Sequence, residues 1–196
     1  MTPTTDVLFG QAYHLQFDPK LWAAMQPYPP LGSLYAAAAA RKCGLTVAFA
    51  DSMLADGVDD WCAAVLRARP RYAVLFEDNF NYLTKMCLTR MREAAVEMIA
   101  FARRHGARVV VCGSDATDHP EAYLEAGAEF VLRGEGDETL VELLEHMEHQ
   151  RDPSEFPTAK CLDDILSLTW IDPRDGRRNT PTRAPIRNLD ALPGPA

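Results

Sequence analysis

The chain has 196 residues, 47% of them hydrophobic, and its 28 acidic against 20 basic side chains give a formal net charge of -8. That length holds one substantial core plus a short appendage, and the acidic balance repels phosphate backbones and leaves no basic stripe for nucleic acid or an anionic membrane. No apolar run approaches the length of a transmembrane helix, and the first six residues lack the basic and apolar regions of a secretory leader, so a cytoplasmic protein is expected.

Five short apolar runs follow in order, at residues 7–9, 45–50, 72–76, 109–112 and 130–132. None alternates in and out, as expected of parallel strands covered by helices on both faces, and all five are predicted as central strands. Between the first two, Pro29 and Pro30 precede Leu31, Gly32 and Ser33 and then an alanine run over 36–40. Proline suits a helix start, and alanine joins high helix propensity to a side chain small enough for close approach to a sheet or a ligand. Apolar positions at 3/4 spacing mark three more helices: Val58, Trp61, Cys62 and Val65; Leu88, Met91, Ala95, Met98 and Ala102; Leu140, Leu143, Leu144 and Met147. Strand and helix units joined by right-handed crossovers imply an α/β fold, a flavodoxin-like (Rossmann-like) doubly wound parallel sheet of five strands in the order 2-1-3-4-5.

After about residue 150 the composition turns to proline, arginine and aspartate. Residues 166–170 and 177–180, joined by a turn containing Asp172, Pro173, Asp175 and Gly176, resemble a small hairpin. Residues 1–150 are expected to form the α/β domain, and 151–196 a hairpin and a linker toward a further domain.

In an open sheet of this kind ligands lie beyond the carboxyl ends of the strands. Those ends carry Gly10 to His14, Asp51 and Ser52, Glu77 to Tyr82, Gly113 to Thr117, and Gly134, Glu135 and Gly136. Gly10 alone, with two aromatics nearby, does not make the glycine-rich turn of a nicotinamide-binding strand. A receiver domain would need acids after the first strand, an aspartate after the third and a lysine after the fifth; only Asp78 fits. The 5 cysteines, at 43, 62, 87, 112 and 161, are too dispersed for a metal cage and read as small buried hydrophobes. His105, His146 and His149 read as solvent-facing helix residues.

Five collinear pieces resemble the cobalamin-binding domain that precedes the catalytic barrel in cobalamin-dependent radical S-adenosylmethionine enzymes. They are Pro29-Pro30-Leu31-Gly32; Gly44-Leu45-Thr46-Val47 with Asp51; Gly113-Ser114 with Ala116, Thr117, Pro120 and Glu121; Gly134-Glu135-Gly136-Asp137-Glu138-Thr139; and Asn188-Leu189-Asp190-Ala191-Leu192-Pro193. The resemblance implies cobalamin, in its methylcobalamin form, on the strand ends, and in the parent enzyme a radical S-adenosylmethionine domain in cis with a [4Fe-4S] cluster. The CxxxCxxC triad that binds such a cluster is absent here, so this chain would supply only the cobalt half. Methyl transfer to an unactivated carbon or phosphorus centre is the expected reaction of the whole.

The same resemblance distributes the site. Gln11 follows the first strand, and Pro30, Leu31 and Gly32 open the first helix. Gly113, Ser114 and Thr117 would admit the nucleotide tail and bond to it, unless Thr117 or Asp118 merely caps a helix. Gly134 and Gly136 would let backbone approach the corrin, with Glu135 bonding its amides, while Asp137 and Glu138 complement a helix dipole. Glu77, Asp78, Asn79, Phe80, Asn81 and Tyr82 would form the lower face beneath cobalt, with Asn79 or Asn81 as helix caps in the plainer account. Asp-x-His-x-x-Gly, which puts imidazole on cobalt in methionine-synthase-like domains, is missing: the loop reads Gln11-Ala12-Tyr13-His14. Cobalamin would then be base-off with no histidine ligand. A cofactor-free docking or substrate-lid module, and a flavin or nucleotide binder on the same fold, remain alternatives.

Overall fold

A computed structural model describes residues 4–77, 85–149 and 159–195. Five parallel strands, β1 (Thr5–Gly10), β2 (Val47–Ala50), β3 (Pro70–Phe76), β4 (Arg108–Cys112) and β5 (Phe130–Leu132), stand in the order β2-β1-β3-β4-β5, as the sequence implies. Two antiparallel strands, β6 (Leu168–Asp172) and β7 (Gly176–Asn179), then continue the same sheet beyond β5. The sheet is therefore seven-stranded rather than five-stranded. β5 is internal, and β2 is a half-buried edge instead of a central strand.

Eight helices are described: α1 (Pro19–Ala24), α2 (Leu31–Lys42), α3 (Asp59–Ala68), α4 (Lys85–Arg104), α5 (Ser114–Asp118), α6 (Pro120–Glu125), α7 (Asp137–Glu148) and α8 (Ala159–Leu162). They explain the lack of alternation in the strands. Val7, Phe9, Val74, Val110 and Leu132 pack under α2 and α7, while Leu8, Leu75, Val109, Val111 and Val131 pack under α3, α4 and α6, so both sides of the pleat are buried. The alanine run serves close packing: Ala36, Ala37 and Ala40 are buried in the first of these clusters. Trp170 of β6 is fully buried in it too, which makes the hairpin a wall of the core. α1 has no apolar stripe to announce it; Asp18 caps it, its carboxylate accepting from the amides of Lys20 and Leu21 at 3.1 Å, and Pro19 stands at the first helical position. Among the described cysteines Cys112 is buried, Cys43 and Cys62 are half-buried and Cys161 is exposed, so burial holds fully for one of them.

Candidate functional site

The rim is assembled from the loops that leave β1, β2, β3, β4 and β5. Gln11, directly after β1, is fully buried; its Nε2 stands 3.4 Å from Asp51 Oδ1, and its Oε1 has no protein partner among the described residues. Asp51 Oδ1 also accepts from the amide of Met53 at 2.9 Å, so the β1 and β2 loops share one carboxylate. Glu77, just past β3, is drawn inward: its carboxylate accepts from the amide of Ala12 at 2.9 and 3.1 Å, and its own amide donates to Cys112 O at 2.8 Å. Glu77 thereby joins the ends of β1, β3 and β4. Asp78, Asn79, Phe80, Asn81 and Tyr82 lie outside the described residues.

α2 starts over the end of β3. Pro30 is the buried cap residue, Leu31 is exposed, and Gly32 runs close to the Phe76 ring, where a Cβ would come within 3.7 Å of Cε1. Ser33 donates from Oγ to Phe76 O at 2.5 Å, a tie between helix and strand that apolar periodicity did not reveal.

The loops after β4 and β5 meet directly. Thr117 Oγ1 donates to Gly113 O at 2.8 Å and accepts from Gly134 N at 3.1 Å, so one hydroxyl joins the two glycine loops. Gly134 adopts φ 69°, left-handed backbone that favours glycine, and among the described residues none but its chain neighbours comes within 4 Å of where a Cβ would stand. Gly136 differs: a Cβ there would overlap Cys112 Sγ and press to 3.2 Å from Phe76 Cε2, so this glycine serves close packing of the loop onto β4. Glu135 is exposed and its Oε2 accepts from the amide of Ile186 at 2.7 Å. Ser114, half-buried, opens α5.

Charges near these loops are mostly paired. Asp115 takes a bidentate bond from Arg92 at 2.6 and 2.7 Å and a third from the Tyr123 hydroxyl at 2.7 Å. Burial works against its ionisation, but those bonds outweigh it and hold the carboxyl below the usual range. Asp137, at the first turn of α7, moves the other way: burial pushes it up, with the Glu135 and Glu138 charges adding to the rise. Burial likewise raises the Cys112 thiol. The Arg92–Asp115–Tyr123 cluster went unrecognised in the sequence, where nothing local links residues on three different helices.

Two described histidines stand on the loops that leave the strand ends, His14 after β1 and the exposed His119 between α5 and α6. His14 is fully buried; its Nδ1 lies 3.3 Å from Ala55 O, its ring packs against Phe17 with centroids 4.7 Å apart, and burial holds its pKa down. His105 and His149 are exposed and bond to carbonyls of their own helices, whereas His146 is half-buried rather than solvent-facing, with Nε2 shielded. Among the described residues no group of His, Cys, Asp and Glu is arranged to hold a metal ion, and no helix is long and apolar enough to cross a membrane.

No family model matches this chain, and no curated protein matches it. Solved structures do. The cobalamin-dependent S-adenosylmethionine radical enzyme OxsB, with aqua-cobalamin and S-adenosylmethionine bound, superimposes at a TM-score of 0.68 with 14% identity, covering 97% of this chain and 24% of that one. Its apo, selenomethionine-labelled form gives a TM-score of 0.64 at 13% identity with the same coverage. This chain thus spans 24% of the length of those structures, and the likeness establishes its fold as Rossmann-like α/β with a mostly parallel sheet.

Proposed function

We propose that this chain is a cobalamin-binding domain, with the corrin received by the rim at the strand ends. The observation that carries this reading is how the rim is furnished. Its polar side chains Gln11, Glu77 and Thr117 bond to neighbouring loops, and Gly134 leaves open space at its Cβ position. Corrin presents amides around its edge, and polar side chains and a glycine at the strand ends suit so broad a ligand. The donor set fits as well: Gln11 Oε1 is a buried acceptor with no protein partner among the described residues, and an amide N–H would satisfy it. The likeness to a structure with aqua-cobalamin bound points the same way.

Gln11, Glu77, Gly113, Ser114, Thr117, Gly134 and Gly136, with Pro30, Leu31 and Gly32 at the start of α2, are the residues that would hold it. Bound cobalamin supplies a cobalt centre able to carry a transferable methyl group. The protein's part is to bind and orient the ring and to keep imidazole away from the metal, and the inward-turned His14 supports base-off binding without a histidine ligand. The parent enzyme is inferred to carry a radical S-adenosylmethionine domain in cis, with its [4Fe-4S] cluster, and to methylate an unactivated carbon or phosphorus centre. The span of this chain against OxsB leaves room for such a domain.

The test is direct. Incubated with hydroxocobalamin and desalted, the protein should retain the visible corrin bands at about one equivalent per chain. A colourless protein ends the reading.

A further inference from the structure

The segment after the hairpin reads in sequence as a linker, yet its side chains and backbone are spent on the β5 loop and on α7. Ser167 is the node. Its amide donates to Pro181 O at 2.8 Å, its carbonyl accepts from Arg133 N at 2.8 Å, and its Oγ accepts from Arg183 N at 2.8 Å. Arg183 then reaches along α7: Nε donates to Thr139 Oγ1 at 3.1 Å, Nη1 to Glu138 at 3.1 Å, and Nη2 to Glu142. Its side chain is only 14% exposed. Three residues on, the amide of Ile186 donates to Glu135 Oε2 at 2.7 Å.

These contacts answer a physical need. Glu135, Asp137, Glu138 and Glu142 crowd the first turns of α7 with like charge, and Glu138 and Glu142, one turn apart, repel each other on the helix surface. The Arg183 guanidinium bridges that pair with a planar fork that lysine cannot reproduce. The loop itself is Gly-Glu-Gly. Thr117 ties it from within through Gly134, Gly136 packs on Cys112, and the Ile186 amide holds the carboxylate of the middle residue. Beyond Ile186 the segment forms one wall of a groove of about 570 Å³, the others being α2 at Ala39 and Cys43 and α7 at Val141 and Glu145.

We propose that residues 183–186 are a built part of the rim, and that Glu135 and Arg183 are positioning residues that hold the Gly134-Glu135-Gly136 loop in its ligand-receiving shape. The proposal rests on the cobalamin reading above and deepens it: Glu135 acts through the segment rather than by touching the ring.

The test compares wild type with Glu135→Gln, Glu135→Ala, Arg183→Gln and Ile186→Pro, each first confirmed as folded by circular dichroism. Amide exchange of the ligand-free proteins and titration with hydroxocobalamin are the two measurements. Ile186→Pro deletes the donor and leaves the Glu135 carboxylate intact. It should speed exchange at the Gly134 amide and weaken hydroxocobalamin binding, each roughly fivefold, the scale of one lost hydrogen bond. Arg183→Gln and Glu135→Ala should do the same, while Glu135→Gln, which keeps an acceptor oxygen, should stay near wild type. If Glu135→Ala weakens binding while folded Ile186→Pro leaves both measurements unchanged, Glu135 meets the ligand itself and the proposal is overturned. If Ile186→Pro, Arg183→Gln and Glu135→Ala all behave as wild type, the segment is a passenger and the proposal is overturned alone. A wild-type chain that holds no hydroxocobalamin overturns the cobalamin reading and this proposal together, which separates the two failures.

Discussion

Thr117 Oγ1 lies 3.1 Å from the amide nitrogen of Gly134, and this contact joins the loop after β4 to the loop after β5. The same hydroxyl donates to Gly113 O, so both of its roles are filled. Thr117→Val preserves shape and removes both bonds. It should cost about 1–2 kcal/mol in unfolding free energy and weaken hydroxocobalamin retention, while Thr117→Ser should keep most of each. Chemical denaturation and a binding titration on the two variants provide the check; equal behaviour of valine and serine would remove the hydroxyl from the account.

Gly136 and Cys112 should be energetically coupled. A methyl group at 136 would overlap Cys112 Sγ, so Gly136→Ala is expected to destabilise by about 1–3 kcal/mol through overpacking. Adding Cys112→Ala removes the obstructing sulfur and should recover part of the loss, giving a coupling of at least about 0.5 kcal/mol in a double-mutant cycle. Strict additivity would contradict the packing.

Asp137 sets a pH dependence whose sign follows from its burial. Its carboxyl is raised above the ordinary 3.8, so the folded chain holds that proton more tightly than the unfolded chain does. Stability is therefore lost as pH rises from about 3.8 through the raised folded value. Asp137→Asn abolishes the ionisation and should melt higher than wild type at pH 7, with the advantage shrinking below pH 4. Thermal melts across that range test it; a variant less stable at pH 7 would show that the ionised carboxylate is welcome at the start of α7.

His14 is turned toward Ala55 and Phe17. Replacing it with Gln should leave the visible spectrum of bound hydroxocobalamin unchanged, at a cost in folding stability of about 1–2 kcal/mol from the lost packing and the lost bond. A spectral change specific to that variant would put the imidazole on cobalt.

The parallel strands were legible because burial on both faces removes alternation, and residues such as Val109 and Val110, adjacent in sequence, enter opposite clusters. Strand order followed from the crossovers. The extra strands were harder: Leu168 and Trp170 read as a free hairpin, since nothing local says that β6 will pair with Val131 and Leu132. α1 left only the Asp18-Pro19 signature of a capped start. At the rim, glycine is an ambiguous letter, because Gly134 with open space and Gly136 jammed against sulfur look alike in sequence. The Glu135–Ile186 bond joins residues 51 apart, and no periodicity or motif carries that distance.

The sheet ends on the hairpin side at β7, whose Arg177 pairs with Glu121 and whose Arg178 pairs with Asp163 and Asp175. An incoming strand from another molecule would have to displace anchored guanidinium groups before its main chain could bond there. The opposite margin, β2, offers only four residues. Strand-on-strand pairing is thus disfavoured at both flanks of the sheet, by charge at one and by brevity at the other.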